Sequence, residues 1–224
     1  MKGLIFFLLI SYLGFSQSEN TLPAGFVYVK EVIPTARVEL RYATSENFVG
    51  KPIDGYHSGK GILSREATKA LKKVQQELLS YGYSIKIYDA YRPQQAVNHF
   101  VRWASDLNDT LMKHNYYPNV EKENLFKEGY IASHSGHTKG STLDLTLIRI
   151  DTEEEVDMGS SYDFFGKESW VYHEHVTKKQ RENRLLLKSV MNKHGFKSYS
   201  KEWWHFTLIN EPFPDTYFDF IVEE

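Results

Sequence analysis

The chain has 224 residues, of which 41% are hydrophobic and 25% are charged, and its formal net charge is −2. This mixture excludes intrinsic disorder, and the slight acidic excess argues against a nucleic-acid binder, which usually carries a basic surplus. The absence of cysteine excludes disulfides and cysteine-ligated metals, so any metal must be bound by His, Asp or Glu.

The N-terminus is organised like a secretory signal peptide. A lysine precedes an apolar run over residues 3–15, and the small residues Gly14 and Ser16 stand before a candidate cleavage point. The run is shorter than the roughly 20 residues that span a bilayer, and no cysteine follows it to carry a lipid. We therefore expect residues 1–16 to be removed on export to the periplasm or the medium, leaving residues 17–224 as one domain without a stable membrane anchor.

The rest of the chain shows strand and helix patterns without internal repeats or linkers. Period-two alternation predicts strands at residues 37–42, 83–88, 143–150 and 204–209. Helical spacing and capping residues predict helices from Ser64 to Gly82, from Pro93 to Trp103 and from Lys178 to His194. Because few βαβ alternations are present, we expect a single-domain α+β fold with a central antiparallel sheet flanked by helices.

The strongest strand pattern contains a carboxylate. This pattern is the strand predicted at residues 143–150, which follows a loop of histidines and small residues. The leucines of the strand share one face, so Asp144 points to the other face. A buried carboxylate is costly unless it is paired or bound to a metal. Asp144 therefore indicates either a salt bridge or a metal ligand.

A second segment, Glu202-Trp203-Trp204-His205, completes a candidate zinc site on the sheet. Catalytic zinc takes three protein ligands and leaves one position for water. His137, Asp144 and His205 supply such a set. Glu202 is then available as a general base, and we predict one zinc ion per chain.

The spacing of these residues resembles the zinc signature of the D-alanyl-D-alanine dipeptidases, which are related to zinc D,D-carboxypeptidases and endolysins. Residues 135–144 read S-G-H-x-x-G-S-x-x-D, and residues 202–205 read E-x-W-H. Three further segments resemble family patterns in the same order: residues 41–48 (R-Y-A-T-x-x-N-F), residues 89–93 (D-x-Y-R-P) and residues 158–166 (M-G-T-x-F-D-x-F).

The resemblance implies zinc-dependent hydrolysis of the small dipeptide D-alanyl-D-alanine, and with it a role in cell-wall metabolism. It implies that the zinc ligands are His137, Asp144 and His205, with Glu202 as the base; His134 does not keep the H-x6-D spacing. It also implies that Arg92 stabilises the transition state, that Asp163 binds the substrate ammonium, and that Tyr42 and Ser135 line the dipeptide pocket.

Two alternatives stay open at this point. A zinc D,D-carboxypeptidase would cut longer peptidoglycan stems, whereas Asp163 favours a substrate with a free ammonium. A non-catalytic, exported wall-peptide-binding module would have no need of a base such as Glu202. The sequence indicates no particular oligomeric state.

Overall fold

The computed structural model describes residues 22–223, so the predicted signal peptide lies outside the described residues. Within this range the strands are β1 (Phe26–Tyr28), β2 (Arg37–Val38), β3 (Ile62–Ser64), β4 (Tyr83–Asp89), β5 (Thr142–Arg149), β6 (Phe196–Ser198) and β7 (His205–Leu208). The α-helices are α1 (Val29–Val32), α2 (Arg65–Ser80), α3 (Gln94–Ser105), α4 (Lys113–Tyr116) and α5 (Lys178–Lys193). Short 3₁₀ helices lie at Arg41–Ala43, Lys122–Asn124, Gly136–Lys139 and Lys167–Ser169. No helix in the described range is long and apolar enough to cross a membrane.

Five strands form the central sheet, in the order β2-β4-β5-β7-β6. All neighbouring pairs are antiparallel except β2 and β4, which are parallel. A separate antiparallel pair joins β1 to β3. The predicted α+β class with helices against the sheet is confirmed, and the sheet is mixed rather than purely antiparallel because of the short edge strand β2.

Helices α2 and α5 pack against the sheet and against each other. Helix α2 begins as predicted, because the Ser64 hydroxyl accepts a hydrogen bond from the Ala67 amide at 3.2 Å and caps the first turn. It ends before Gly82, whose φ of +81° is a conformation that glycine adopts without strain. Leu143, Leu145 and Leu147 of β5 are fully buried in the core.

The predicted strand at residues 37–42 is too long. Only Arg37 and Val38 pair with β4, and the chain then turns into the 3₁₀ helix at Arg41–Ala43. The alternating pattern of this segment reflects burial of Tyr42 within the fold, where its side chain is 2% exposed. A pattern of apolar and polar residues does not distinguish this turn from a continuing strand.

The sheet places three polar residues in one row across its central strands. Asp89 of β4 lies opposite Asp144 of β5, and Asp144 lies opposite His205 of β7. Side chains directly opposite each other on neighbouring strands point to the same face. A β-bulge between Ile87 and Asp89 shifts the register of β4. Without this shift Asp89 would point to the face of Ile87, so the bulge brings Asp89 to the face of Asp144.

Candidate active site

Three side chains converge on one point beside the sheet. The His137 Nε2 atom lies 3.3 Å from the His205 Nδ1 atom and 3.3 Å from the Asp144 Oδ1 atom. The His205 Nδ1 atom lies 3.1 Å from the same Asp144 oxygen. These are the three residues among residues 22–223 that form a group able to hold a metal ion.

The donor atoms of this group fit zinc. Zinc bonds of about 2.0–2.1 Å in tetrahedral geometry separate neighbouring donors by about 3.3–3.4 Å, close to the distances observed. The Asp144 Oδ1 atom is buried and accepts no hydrogen bond from the described residues, so it is free for a cation. Although burial opposes its ionisation, the two histidines outweigh burial and lower the pKa of Asp144. Asp144 is therefore ionised, and the three donors are already arranged around one point.

His137 is held in position by the loop between β4 and β5 and by the end of β4. Its backbone amide donates to the Ser135 hydroxyl at 3.3 Å, which caps the 3₁₀ helix. Its Nδ1 atom donates to the Ala90 carbonyl at 2.8 Å, which leaves the Nε2 lone pair for a metal. Gly140 ends this helix at a φ of +78°, where a Cβ atom would lie 2.2 Å from the Phe26 ring. Only glycine fits this turn.

Arg92 lies at the entrance of α3 and is anchored by Asp89. Its Nε and Nη2 atoms are 2.9 Å and 2.8 Å from Asp89 Oδ2, and its side chain is 13% exposed. The Tyr56 hydroxyl donates to the other Asp89 oxygen at 2.6 Å. Burial raises the pKa of Asp89 despite the adjacent guanidinium. Asp89 therefore fixes Arg92 at the cavity wall.

Glu202 lies next to the metal-binding group without belonging to it. Its Oε2 atom is 3.4 Å from His205 Nδ1, and its side chain lines the cavity. Desolvation, the largest effect, raises the pKa of Glu202, and the negative Asp144 adds to the increase. A carboxylate with a raised pKa close to a metal is suited to accept a proton.

Asp163 is a second buried carboxylate that lines the cavity. It is 7% exposed and has a φ of +58°, a conformation that Asp tolerates better than most residues. The Tyr42 hydroxyl donates to its Oδ2 atom at 2.8 Å. Burial, and then repulsion from Asp144, hold the pKa of Asp163 well above its usual range. A cationic group bound beside Asp163 would offset the unfavourable burial of its negative charge.

All eight residues predicted for the site come together around one cavity of about 670 Å³. The residues lining it include Tyr42, Arg92, Ser135, His137, Asp144, Asp163, Glu202 and His205. His134 also lines the cavity, but its ring contacts Tyr217 and stays outside the metal-binding group. The spacing argument that preferred His137 to His134 agrees with this placement.

Two residues of the site were not predicted from the sequence. Asp89 belongs to the D-x-Y-R-P segment, in which only Arg92 was given a role; it is fully buried and contacts both Arg92 and His137. Tyr162 was unassigned, and its hydroxyl donates to Asp144 Oδ2 at 3.1 Å. The signal for Asp89 was an acidic residue at the end of a strand whose residues are almost all buried.

A metal-binding group and a neighbouring carboxylate, in one cavity beside an α+β sheet, define a metallopeptidase centre. A model of the Peptidase_M15 family, described as D-ala-D-ala dipeptidase, matches residues 23–223, and the chain belongs to this family.

Proteins similar to this chain carry the same description. A D-alanyl-D-alanine dipeptidase of Enterococcus faecalis is 43% identical, over 88% of this chain and 98% of its own length. One of Streptomyces coelicolor is 40% identical, over 90% of this chain and all of its own length. A Zn(II) complex of a mutant vancomycin resistance D,D-pentapeptidase, VanY, covers 68% of this chain and 76% of its own, with 12% identity and a TM-score of 0.41. That last similarity is too low to support conclusions about the site.

Proposed function

We propose that this protein is a zinc dipeptidase that hydrolyses D-alanyl-D-alanine to two D-alanines. The observation that carries the proposal is the composition of the cavity wall. A three-donor metal group, a separate basic carboxylate and a second, buried carboxylate surround one space. This set serves both peptide hydrolysis and recognition of a free ammonium.

Glu202 is the proposed general base. His137, Asp144 and His205 would hold the zinc ion, which would act as a Lewis acid towards water and the scissile carbonyl. Glu202 accepts a proton from the attacking water and delivers it to the leaving amine nitrogen. Its position beside the metal-binding group and its raised pKa favour both transfers.

Arg92 is the proposed donor to the oxygen that becomes negative when the carbonyl is attacked. Its guanidinium stays charged at all relevant pH values and is fixed by Asp89 before the substrate arrives. Such preorganised donors stabilise charge that develops only in the transition state.

Asp163 is the proposed partner of the substrate's free ammonium, and Tyr42 and Ser135 line the same pocket. An acylated amine at this point would offer Asp163 no counter-charge, so the ion pair that a free ammonium forms with this buried carboxylate would be lost. The buried position of Asp163 therefore favours a dipeptidase over a D,D-carboxypeptidase, whose substrates have an acylated amine there. The presence of a base argues against a module that only binds wall peptides.

The decisive experiment compares D-alanyl-D-alanine with its N-acetyl derivative. We expect the free dipeptide to be hydrolysed far faster, and Asp163→Asn to reduce the difference, because it removes the charge while keeping a residue that accepts a positive φ. Equal rates on both substrates would favour the carboxypeptidase. No hydrolysis of either by zinc-loaded protein would favour the binding module.

A second experiment tests the base. Glu202→Gln should retain one zinc per chain and lose about 10²–10⁴-fold in kcat, the usual contribution of general base catalysis. Glu174→Gln, in an exposed loop, is the matched control and should behave like the wild type. Normal turnover by the Glu202→Gln variant would remove Glu202 from the mechanism.

We also propose that the protein acts after export, in cell-wall metabolism. The support is the lysine and apolar run at the start of the sequence, together with the proposed substrate, which is a wall-peptide unit. N-terminal sequencing of protein isolated from cells should begin near Gln17. An intact N-terminus on cytoplasmic protein would contradict the proposal.

A further inference from the structure

We propose that Tyr162 is a positioning residue of the metal centre, whose hydroxyl holds the distal oxygen of Asp144 so that Oδ1 alone faces the metal. The inference rests on the proposed zinc site and adds a residue to which the family resemblance gives no role. The pattern that residues 158–166 resemble has Phe at this position, so the hydroxyl is a departure from it.

The two oxygens of Asp144 have different surroundings. Oδ1 lies 3.3 Å from the His137 nitrogen and 3.1 Å from the His205 nitrogen, in the metal-binding group. Oδ2 accepts the Tyr162 hydrogen bond at 3.1 Å, and the Arg92 Nη2 atom is 3.6 Å away. Because the tyrosine hydroxyl is a donor at neutral pH, it holds Oδ2 away from the three-donor group.

The ring of Tyr162 is held between neighbouring aromatic rings. It is 8% exposed and stacks on Tyr88, with ring centroids 4.6 Å apart and an interplanar angle of 19°. It also meets the Trp204 ring edge-on at 5.4 Å. Tyr88 lies at the bulge of β4 and Trp204 precedes His205 in the chain. The strands that carry the site therefore also fix the hydroxyl.

This arrangement has a chemical consequence. A carboxylate binds a metal through one oxygen or through both, and a hydrogen bond to one oxygen favours binding through the other. Asp144 has no other hydroxyl donor among the hydrogen bonds of residues 22–223. Removing the Tyr162 hydroxyl leaves Oδ2 with only the more distant guanidinium, so the carboxylate is free to rotate.

The test is Tyr162→Phe, which removes one oxygen and keeps the packed ring. Tyr88→Phe is the matched control. Tyr88 is the other ring of the same stacked pair, and its buried hydroxyl interacts with Glu155 and not with Asp144. Zinc affinity is measured by competition with a chelator, together with the thermal unfolding of the metal-free proteins. The visible spectrum of each Co²⁺-substituted protein reports the coordination geometry.

We expect the Tyr162→Phe variant to bind zinc about 10–100-fold more weakly and to show an altered Co²⁺ spectrum, as losses of hydrogen bonds to metal ligands do. The Tyr88→Phe variant should match the wild type in both. Equal zinc affinity and equal spectra for wild type and Tyr162→Phe would overturn the positioning role alone. A wild-type protein that binds no zinc would overturn the proposed function together with this inference.

Discussion

Arg92 has a structural contact in addition to its proposed role in stabilising the transition state. The contact is an ion pair with Asp89, which holds the guanidinium at the wall of the cavity, with its carbon 5.0 Å from the centre of the Tyr42 ring. At the residue scale, this ion pair orients the guanidinium for the proposed role before any substrate is bound.

Replacing Arg92 should therefore impair turnover more than binding. We expect Arg92→Ala to lower kcat by about 10²–10³-fold, the usual cost of losing one donor to a developing oxyanion. Arg92→Lys should recover little, because an ammonium does not reproduce the fork of donors that contacts Asp89. Steady-state kinetics on D-alanyl-D-alanine separates kcat from KM. Arg102→Ala, on an exposed part of α3, is the control; an increase in KM alone would make Arg92 a binding residue.

The sequence predicted individual site residues where short motifs keep their spacing. His137 and Asp144 follow from one loop and strand, and His205 from a second motif. Asp89 and Tyr162 were missed for a physical reason: their contacts depend on a β-bulge and on ring packing between distant segments. Neither feature leaves a local pattern in the sequence.

At the scale of elements, α3 receives its N-terminal cap from the far end of the chain. Pro93 at the N-cap position has no side-chain cap, and the Gln95 amide donates to Asp219 Oδ1 at 2.7 Å. The Gln94 amide donates to the Phe218 carbonyl at 3.1 Å. The C-terminal segment thus accepts hydrogen bonds from the free backbone amides at the start of α3, the helix that follows Arg92.

Removing this cap should destabilise the protein slightly. We expect Asp219→Ala to lower the free energy of unfolding by about 1 kcal/mol, as losses of N-cap side chains do. Asp219→Asn should retain most of the stability of the wild type, because the side-chain amide oxygen still accepts the hydrogen bond from the Gln95 amide. Urea unfolding measures the difference, and Asp215→Ala in the same exposed segment is the control. Equal loss in both alanine variants would argue against a specific cap.

Glu77 connects α2 to the end of α5. Its two oxygens accept from Lys193 at 3.0 Å and from His194 at 2.8 Å. These hydrogen bonds lower the pKa of Glu77 to about 2. The folded-state pKa of Glu77 lies below the ordinary value of about 4.3. The contacts of Glu77 with Lys193 and His194 therefore stabilise the fold at pH values above about 4.3. The contribution is lost as the pH falls towards 2.

The stability difference between wild type and Glu77→Gln should therefore depend on pH. We expect the variant to unfold at lower urea concentration at about pH 5.5 and the difference to narrow at about pH 3, both below the ordinary titration range of histidine. Solvent screening through the exposed Lys193 keeps the effect small. Glu66→Gln, in the first turn of α2, serves as the control. A difference that stays constant with pH would mean that Glu77 acts through packing.

The sequence predicted helices and strands accurately where the element is long enough to show its hydrophobic period. Helices α2, α3 and α5 and strands β4, β5 and β7 lie within a few residues of their predicted bounds. The short strands β1, β3 and β6 were missed, because three residues are too few to show a period. Strand β2 was predicted too long, because burial of Tyr42 imitates strand alternation.

At the scale of the whole molecule, the site depends on the order of strands in the sheet. Asp144 and His205 lie on neighbouring antiparallel strands, and the loop before β5 brings His137 beside them. The sequence predicted the fold class, and the residues it singled out for a site line one cavity. It did not predict the parallel edge or the register shift, because both depend on pairing between distant segments.

Zinc should consequently stabilise the entire fold. The three donors come from separate segments and meet only in the folded state, so binding adds RT ln(1 + [Zn]/Kd) to the free energy of unfolding, about 4 kcal/mol when free zinc is 1,000-fold above Kd. We expect a chelator to lower the Tm of the wild type, and zinc to restore it. His205→Ala should have the Tm of the metal-free protein with or without zinc, because it loses a donor. Asp163→Asn, which changes the cavity but no donor, should keep the full response. An equal rise in Tm with zinc for His205→Ala and the wild type would show that zinc binds elsewhere.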